Sequence, residues 1–177
     1  MFDKNLLSKF RFFSDIADDR LSAVAHEGEL LDFKTGDIIF QIGDSSGNLY
    51  GLVKGEVELS LVYEDRVLKA DIKYEEQNQS RFEVLEKPIK VAVVEPGKIF
   101  GWSALVSNRE RTLTAKCLES SQVIALPGDA LKTLFEKDPA LGYILMTRLS
   151  DIISGRLQDR TDKLIEAWVE AFDMDSL

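Results

Sequence analysis

The sequence predicts an α+β fold: a β-roll or jelly-roll barrel of short antiparallel strands, with N-terminal helices before it and a long C-terminal helix after it. Three observations predict this. Brief β-prone runs are punctuated by Gly36, Gly43 and Gly55, the pattern of short strands joined by glycine turns. Ahead of them, apolar residues recur at three- and four-residue steps, and behind them such a stripe persists from Leu141 to Phe172, about eight helical turns.

The opening helical segment carries Leu6, Leu7, Phe10, Phe13, Ile16, Leu21 and Val24, with Ser14 or Asp18 as candidate caps. Strands follow in Leu30 to Asp44 and in Asn48 to Leu61, where Lys54-Gly55 forms the turn. From Tyr63 to Lys90 the chain is read as an extended, mobile loop between two strands, because Tyr74 to Ser80 is polar without periodicity; a partner surface is the alternative there. Ala130 to Phe135 reads as a short helix, and Asp138-Pro139 has the form of a new helix start.

These elements divide one domain of 177 residues, a length that suits a single core. The divisions are an N-terminal helical region at 6–30, a β-roll at 30–127 and C-terminal helices at 128–172. Hydrophobic residues make up 45% and charged residues 30%, the balance of an ordinary globular chain rather than a disordered one. The net charge of −9 opposes nucleic acid and anionic lipid. Cys117 is the single cysteine, so no intrachain disulfide forms. Neither a leader nor an apolar run long enough for a membrane span is legible, which reads as a cytoplasmic protein.

The stretch Phe100-Gly101-Trp102-Ser103-Ala104-Leu105, followed by Arg111-Thr112, resembles the phosphate-binding cassette of cyclic nucleotide-binding domains, the sensor modules of the catabolite activator and of cAMP-dependent kinase regulatory subunits. Gly36, Ile39, Gly43, Leu49-Tyr50 and Gly55-Glu56-Val57 fall in the order and spacing of that family's β-roll, and Glu95 to Gly101 and Ser121 to Pro127 continue it. The similarity runs from about residue 6 to residue 170. It implies a cassette at 100–112, with phosphate contacts on Ala104, Leu105, Arg111 and Thr112. It also implies a long helix that pairs with a second copy, a homodimer; the alternative is that this helix folds back on its own roll. In transcription factors of the family a hinge and a helix-turn-helix domain follow that helix, whereas here Asp173 to Leu177 remains, which implies a stand-alone form without direct DNA reading.

The chemistry of the cassette agrees with an anion. An arginine at Arg111 offers a bidentate, charge-assisted contact, Ser103 and Thr112 offer hydroxyls, and Gly101 permits close backbone approach. Backbone N–H groups near Ser103 and Ala104 add donors. Alone, Arg111 after Arg109-Glu110 reads as a surface ion-pair residue; its place behind Gly101 to Leu105 makes it a ligand residue. Arg109, two positions away on the same strand face, is a second candidate. Trp102 departs from the family, which places an acidic residue after the glycine to hold the ribose 2′-hydroxyl. An indole has a stacking face and an N–H but no acceptor. On the long helix, Arg160 and Thr161 occupy the positions that in the bacterial branch meet the base; Arg160 suits a carbonyl or a second phosphate, and an exposed polar face is the alternative for both.

An enzyme is not indicated. His26 is the single histidine, and Cys117 lies on an apolar strand without a histidine nearby. No phosphate loop, dinucleotide fingerprint or nucleophile elbow occurs. The implied function is a cyclic nucleotide (cAMP-like) sensing domain, acting as a homodimeric module on an unidentified downstream protein, with a cyclic nucleotide or other small anion as ligand, no metal and no DNA output. The alternative is a degenerate, ligand-independent interaction module of the same fold, its pocket closed by Trp102. A third reading is an accessory subunit beside a separate enzyme or transporter.

Overall fold

The computed structural model describes residues 2–69, 81–106 and 110–173. Eight strands form two four-stranded antiparallel sheets. They are β1 (Glu29–Phe33), β2 (Ile38–Phe40), β3 (Asn48–Lys54), β4 (Val57–Lys69), β5 (Arg81–Val94), β6 (Ile99–Phe100), β7 (Thr114–Cys117) and β8 (Ser121–Pro127). One sheet has the order β1-β8-β3-β6 and the other β2-β7-β4-β5, so the two faces of a jelly roll enclose Leu52, Val57, Leu59, Phe100, Ala115 and Val123. The fold expected from the sequence is the fold observed.

Tight turns explain how so short a chain closes two sheets. Gly55 turns β3 into β4 at a φ of 96°, a left-handed conformation that only glycine adopts freely. A Cβ there would also overlap the Ser121 side chain.

The N-terminal segment is less regular than a single helix. Lys4–Lys9 and Arg11–Phe13 are 3-10 turns, and only α1 (Asp18–Glu27) is α-helical. Of the two expected caps, Ser14 closes the second 3-10 turn, its amide and its Oγ both donating to the Arg11 carbonyl; Asp18 caps nothing but lies in the first turn of α1, where a carboxylate meets the positive end of the helix dipole. Phe10, Phe12 and Phe13 pack edge to face, with centroids 6.4 Å and 4.8 Å apart in the two contacts.

The expected loop from Tyr63 to Lys90 is instead largely a β-ribbon. β4 and β5 pair from Val57↔Val94 out to Lys69↔Arg81, while β4 pairs with β7 only from Val57 to Ser60. The ribbon therefore continues well past the sheet. The β-prone pairs Val67-Leu68 and Val84-Leu85, each bracketed by charged residues, suit strands, a signal outweighed in the sequence by the polar run at Tyr74 to Ser80. That run lies outside the described residues.

The chain ends in α2 (Gly128–Lys137) and α3 (Pro139–Asp173), the latter a helix of 35 residues. Asp138 caps α3 as its sequence suggested: its Oδ1 accepts from the Leu141 amide at 3.1 Å, and Pro139 takes the first helical position. Asp138 also pairs with Arg20 of α1 at 2.6 Å. The first half of α3 lies on its own domain through Leu141, Leu145 and Leu149. There Arg148 donates to the carbonyls of Phe12 (3.0 Å) and Ser14 (2.6 Å). Its second half does not: Leu157, Leu164, Trp168 and Phe172 are exposed, Trp168 by 61% and Phe172 by 72%. The stripe therefore folds back on its own domain over its first half only. Among the described residues, no helix is long and apolar enough to cross a membrane.

Candidate functional site

Arg111 is the centre of the site. It stands in the segment before β7, where its amide donates to the Asp44 carbonyl and its carbonyl accepts from the Gly43 amide, both at 2.8 Å. These bonds fasten it to the turn between β2 and β3 and send the side chain inward. The residue is only 3% exposed. Its guanidinium lies 4.3 Å from the Phe40 ring centroid and 5.5 Å from that of Tyr50, and these rings stack with Phe100. A cation over aromatic faces is stabilised by their quadrupoles.

The fork is partly engaged by the protein itself. Nη1 donates to the Gly101 carbonyl (2.7 Å) and the Ser103 Oγ (3.1 Å), and Nη2 donates to the Asn48 carbonyl (2.6 Å). Nε is buried and has no hydrogen-bond partner. A guanidinium has five donors, and Nε is the nitrogen left without a partner. Burial pulls the Arg111 pKa below its ordinary value, opposed by Tyr50 and Asp44, yet an arginine stays charged. Among the described residues no carboxylate pairs with it. A buried cation whose contacts are all neutral is costly unless an anion completes it.

Gly101 makes this arrangement possible in steric terms. Its φ is 68°, and a Cβ would stand 2.8 Å from Arg111 Nη1 and 2.9 Å from Tyr50 Cδ2. It caps the 3-10 turn Trp102–Leu105. The positioning of Arg111 and the chain reversal at Gly101 therefore depend on one residue.

These side chains open onto a cavity of about 230 Å³. Of the residues singled out from the sequence, Gly101, Trp102, Ser103, Arg111, Thr112 and Arg160 line it. Ala104 and Leu105 do not. Both are buried, Leu105 in the main core, and the Ala104 amide is turned back to the Gly101 carbonyl at 3.3 Å. Thr161 is also not among the lining residues: about 100° round the helix from Arg160, its hydroxyl donates to the Leu157 carbonyl at 2.9 Å. Arg109 lies outside the described residues.

Sequence reasoning missed Phe40, Leu59, Val106, Leu113 and Arg156, which also line the cavity. The four apolar residues come from β2, β4 and the flanks of the cassette, where nothing in the sequence separates a pocket wall from a core position. Arg156 had a signal, since it stands one turn before Arg160 on α3. It is half-buried and donates to the Ile99 carbonyl of β6 at 3.3 Å; burial first, and repulsion from Arg160 second, lower its pKa. Trp102 is half-buried, packs against the main core and forms part of the cavity wall without filling the cavity.

The other candidate reactive groups stand elsewhere. His26 is exposed in the last turn of α1. Cys117 is buried in β7, and burial raises its thiol pKa, which keeps it in the unreactive thiol form.

Comparison with known proteins agrees with this geometry. The family model described as the cyclic nucleotide-binding domain matches residues 80–138. A crystal structure of a candidate cyclic nucleotide-binding protein from Geobacter metallireducens is 27% identical, with a TM-score of 0.67, covering 89% of this chain and 99% of that one. A cyclic nucleotide-binding domain from Methylobacillus flagellatus shares the fold at 18% identity, with a TM-score of 0.67, covering 91% of this chain and 79% of that one. A candidate potassium channel protein of Rhodopseudomonas palustris is 23% identical over 136 residues, which is 75% of this chain. The chain spans 27% of the length of that curated relative.

Proposed function

We propose that this chain, a member of the cyclic nucleotide-binding domain family, is a regulatory sensor that takes a phosphate-bearing nucleotide into the Arg111 cavity and signals through α3. The observation that carries the reading is the buried Arg111, charged, unpaired with any described carboxylate, carrying an unpartnered Nε and lining the cavity. A phosphate supplies the missing negative charge, and arginine-to-phosphate bonds are among the strong, charge-assisted class. Ser103 and Thr112 stand beside it, and the apolar wall of Phe40, Leu59 and Leu113 suits a sugar face or a base.

The proposed signal follows from who lines the cavity. Arg156 and Arg160 belong to α3, while Gly101 to Ser103 belong to the cassette. A ligand touching both sets favours the arrangement in which they are close, and so biases the position of α3. Arg156 further links α3 to β6, immediately before Gly101. The exposed apolar stripe of Leu157, Leu164, Ile165, Trp168 and Phe172 supports pairing with a second copy of the chain. In this reading the homodimer passes the change to a downstream protein in the cytoplasm, without a DNA-binding step, and the chain acts as one domain.

Thermal unfolding with cAMP or cGMP tests the proposal. A ligand that binds only the folded state at a hundred times its Kd adds about 2.7 kcal/mol, so Tm rises measurably. The proposal expects a rise with at least one phosphate-bearing nucleotide and none in Arg111→Lys, whose point charge does not reproduce the fork.

A second reading, the ligand-independent interaction module, draws on the three bonds that Arg111 already makes within the protein. It predicts no thermal shift with any nucleotide. The space left beside Trp102 favours the sensor.

A further inference from the structure

The cavity is more positive than one phosphodiester requires. Arg111, Arg156 and Arg160 all line it, and none of the described lining residues is acidic. Where the family's acidic residue is expected, Trp102 contributes no charge. Arg156 and Arg160 stand four residues apart on α3, a spacing at which like charges face each other and destabilise the helix. No described carboxylate pairs with either. Burial first, and repulsion from Arg160 second, lower the pKa of Arg156. One negative charge on Arg111 leaves this second pair uncompensated.

We propose that the preferred ligand is a compact nucleotide with two phosphate groups, one held by Arg111, Ser103 and Thr112 and the other held between Arg156 and Arg160. This rests on the nucleotide-binding reading of the cavity and specifies its ligand class. Compactness follows from size: about 230 Å³ is below the roughly 300 Å³ at which sites for drug-sized ligands begin. One nucleoside unit is therefore a better match than two. Charge-assisted bonds from arginine forks to phosphate are the strong class of hydrogen bond, and they draw α3 toward the cassette. The second phosphate is thereby the group that reaches the signalling helix.

Calorimetric titration of the full chain with adenosine 3′,5′-bisphosphate, guanosine 3′,5′-bisphosphate, cAMP, cGMP and cyclic di-GMP tests this. At least one bisphosphate is expected to bind about tenfold or more tightly than the cyclic mononucleotide of the same base. Arg160→Ala, whose site is exposed, is expected to lower bisphosphate affinity by about tenfold while melting at the wild-type temperature. Binding of cAMP or cGMP as tight as that of the bisphosphates, or a preference unchanged in Arg160→Ala, overturns the proposal and leaves the nucleotide-binding reading standing. Tighter binding of cyclic di-GMP overturns the compact class. Absence of heat with all five overturns both the proposal and the reading beneath it.

Discussion

Arg111 Nη1 donates to the carbonyl oxygen of Gly101 over 2.7 Å, and a Cβ on Gly101 would stand 2.8 Å from that same nitrogen. The bond and the clash have one cause. The chain reverses at Gly101 in a left-handed conformation, which presents its carbonyl to the guanidinium and leaves no room for a side chain.

Gly101→Ala is therefore expected to destabilise the domain by about 2 kcal/mol or more, combining the left-handed backbone penalty with overlap against a pinned group. Urea unfolding measures this. The same variant should lose nucleotide binding, because Arg111 must leave the Gly101 carbonyl to relieve the overlap.

Trp102→Glu places a carboxylate where the family has one. Affinity for a cyclic mononucleotide is expected to rise by about tenfold, the worth of one buried charge-assisted hydrogen bond. The same carboxylate neutralises part of the arginine field, so affinity for a 3′,5′-bisphosphate should fall. Calorimetry of both ligands on the two proteins checks the opposite signs.

The cassette was legible in the sequence because its parts are contiguous: Gly101, Trp102 and Ser103 follow one another, and Arg111-Thr112 closes the group. The long helix was legible from its stripe, and its cap from Asp138-Pro139. What the sequence hid depends on contacts across the chain. Phe40 and Leu59 look like core residues of β2 and β4 until Arg111 is laid against one and the cavity beside the other. Ala104 and Leu105 belong to the motif, yet their side chains are buried, because a 3-10 turn spreads successive side chains about 120° apart and cannot present them all to one cavity. The β4–β5 ribbon was hidden by the polar run Tyr74 to Ser80, which dominates a local reading although the pairs Val67-Leu68 and Val84-Leu85 on either side of it in sequence are β-prone.

Asp138 gives the fold a pH dependence with a defined sign. The Leu141 amide above all, with Arg20 and the Ala140 amide after it, holds the carboxyl below the ordinary carboxylate range, against the opposing effect of desolvation. Its folded pKa is thus lower than its unfolded one, near 3.9. The stabilisation it provides is present above that value and is lost as pH falls through the folded pKa. The stability difference between wild type and Asp138→Ala should be constant near neutral pH and shrink below about pH 4, as followed by urea midpoints across the acidic range.

The distal half of α3 should govern association. Trp168→Ser combined with Leu164→Ser removes two members of the exposed stripe without touching Leu141, Leu145 or Leu149, which hold α3 to the domain. Sedimentation should show a dimer for the wild type and a monomer for the double variant, with thermal unfolding of the roll otherwise retained.

The central claim is that buried Arg111 receives a phosphate-bearing nucleotide. Parallel calorimetric titrations of wild type and Arg111→Ala, against the cyclic mononucleotides and 3′,5′-bisphosphates of adenosine and guanosine, test it most directly. The account predicts binding heat for the wild type with at least one of them, and an affinity lower by at least about tenfold in the variant. No heat from the wild type, or equal affinities in the two proteins, would contradict it.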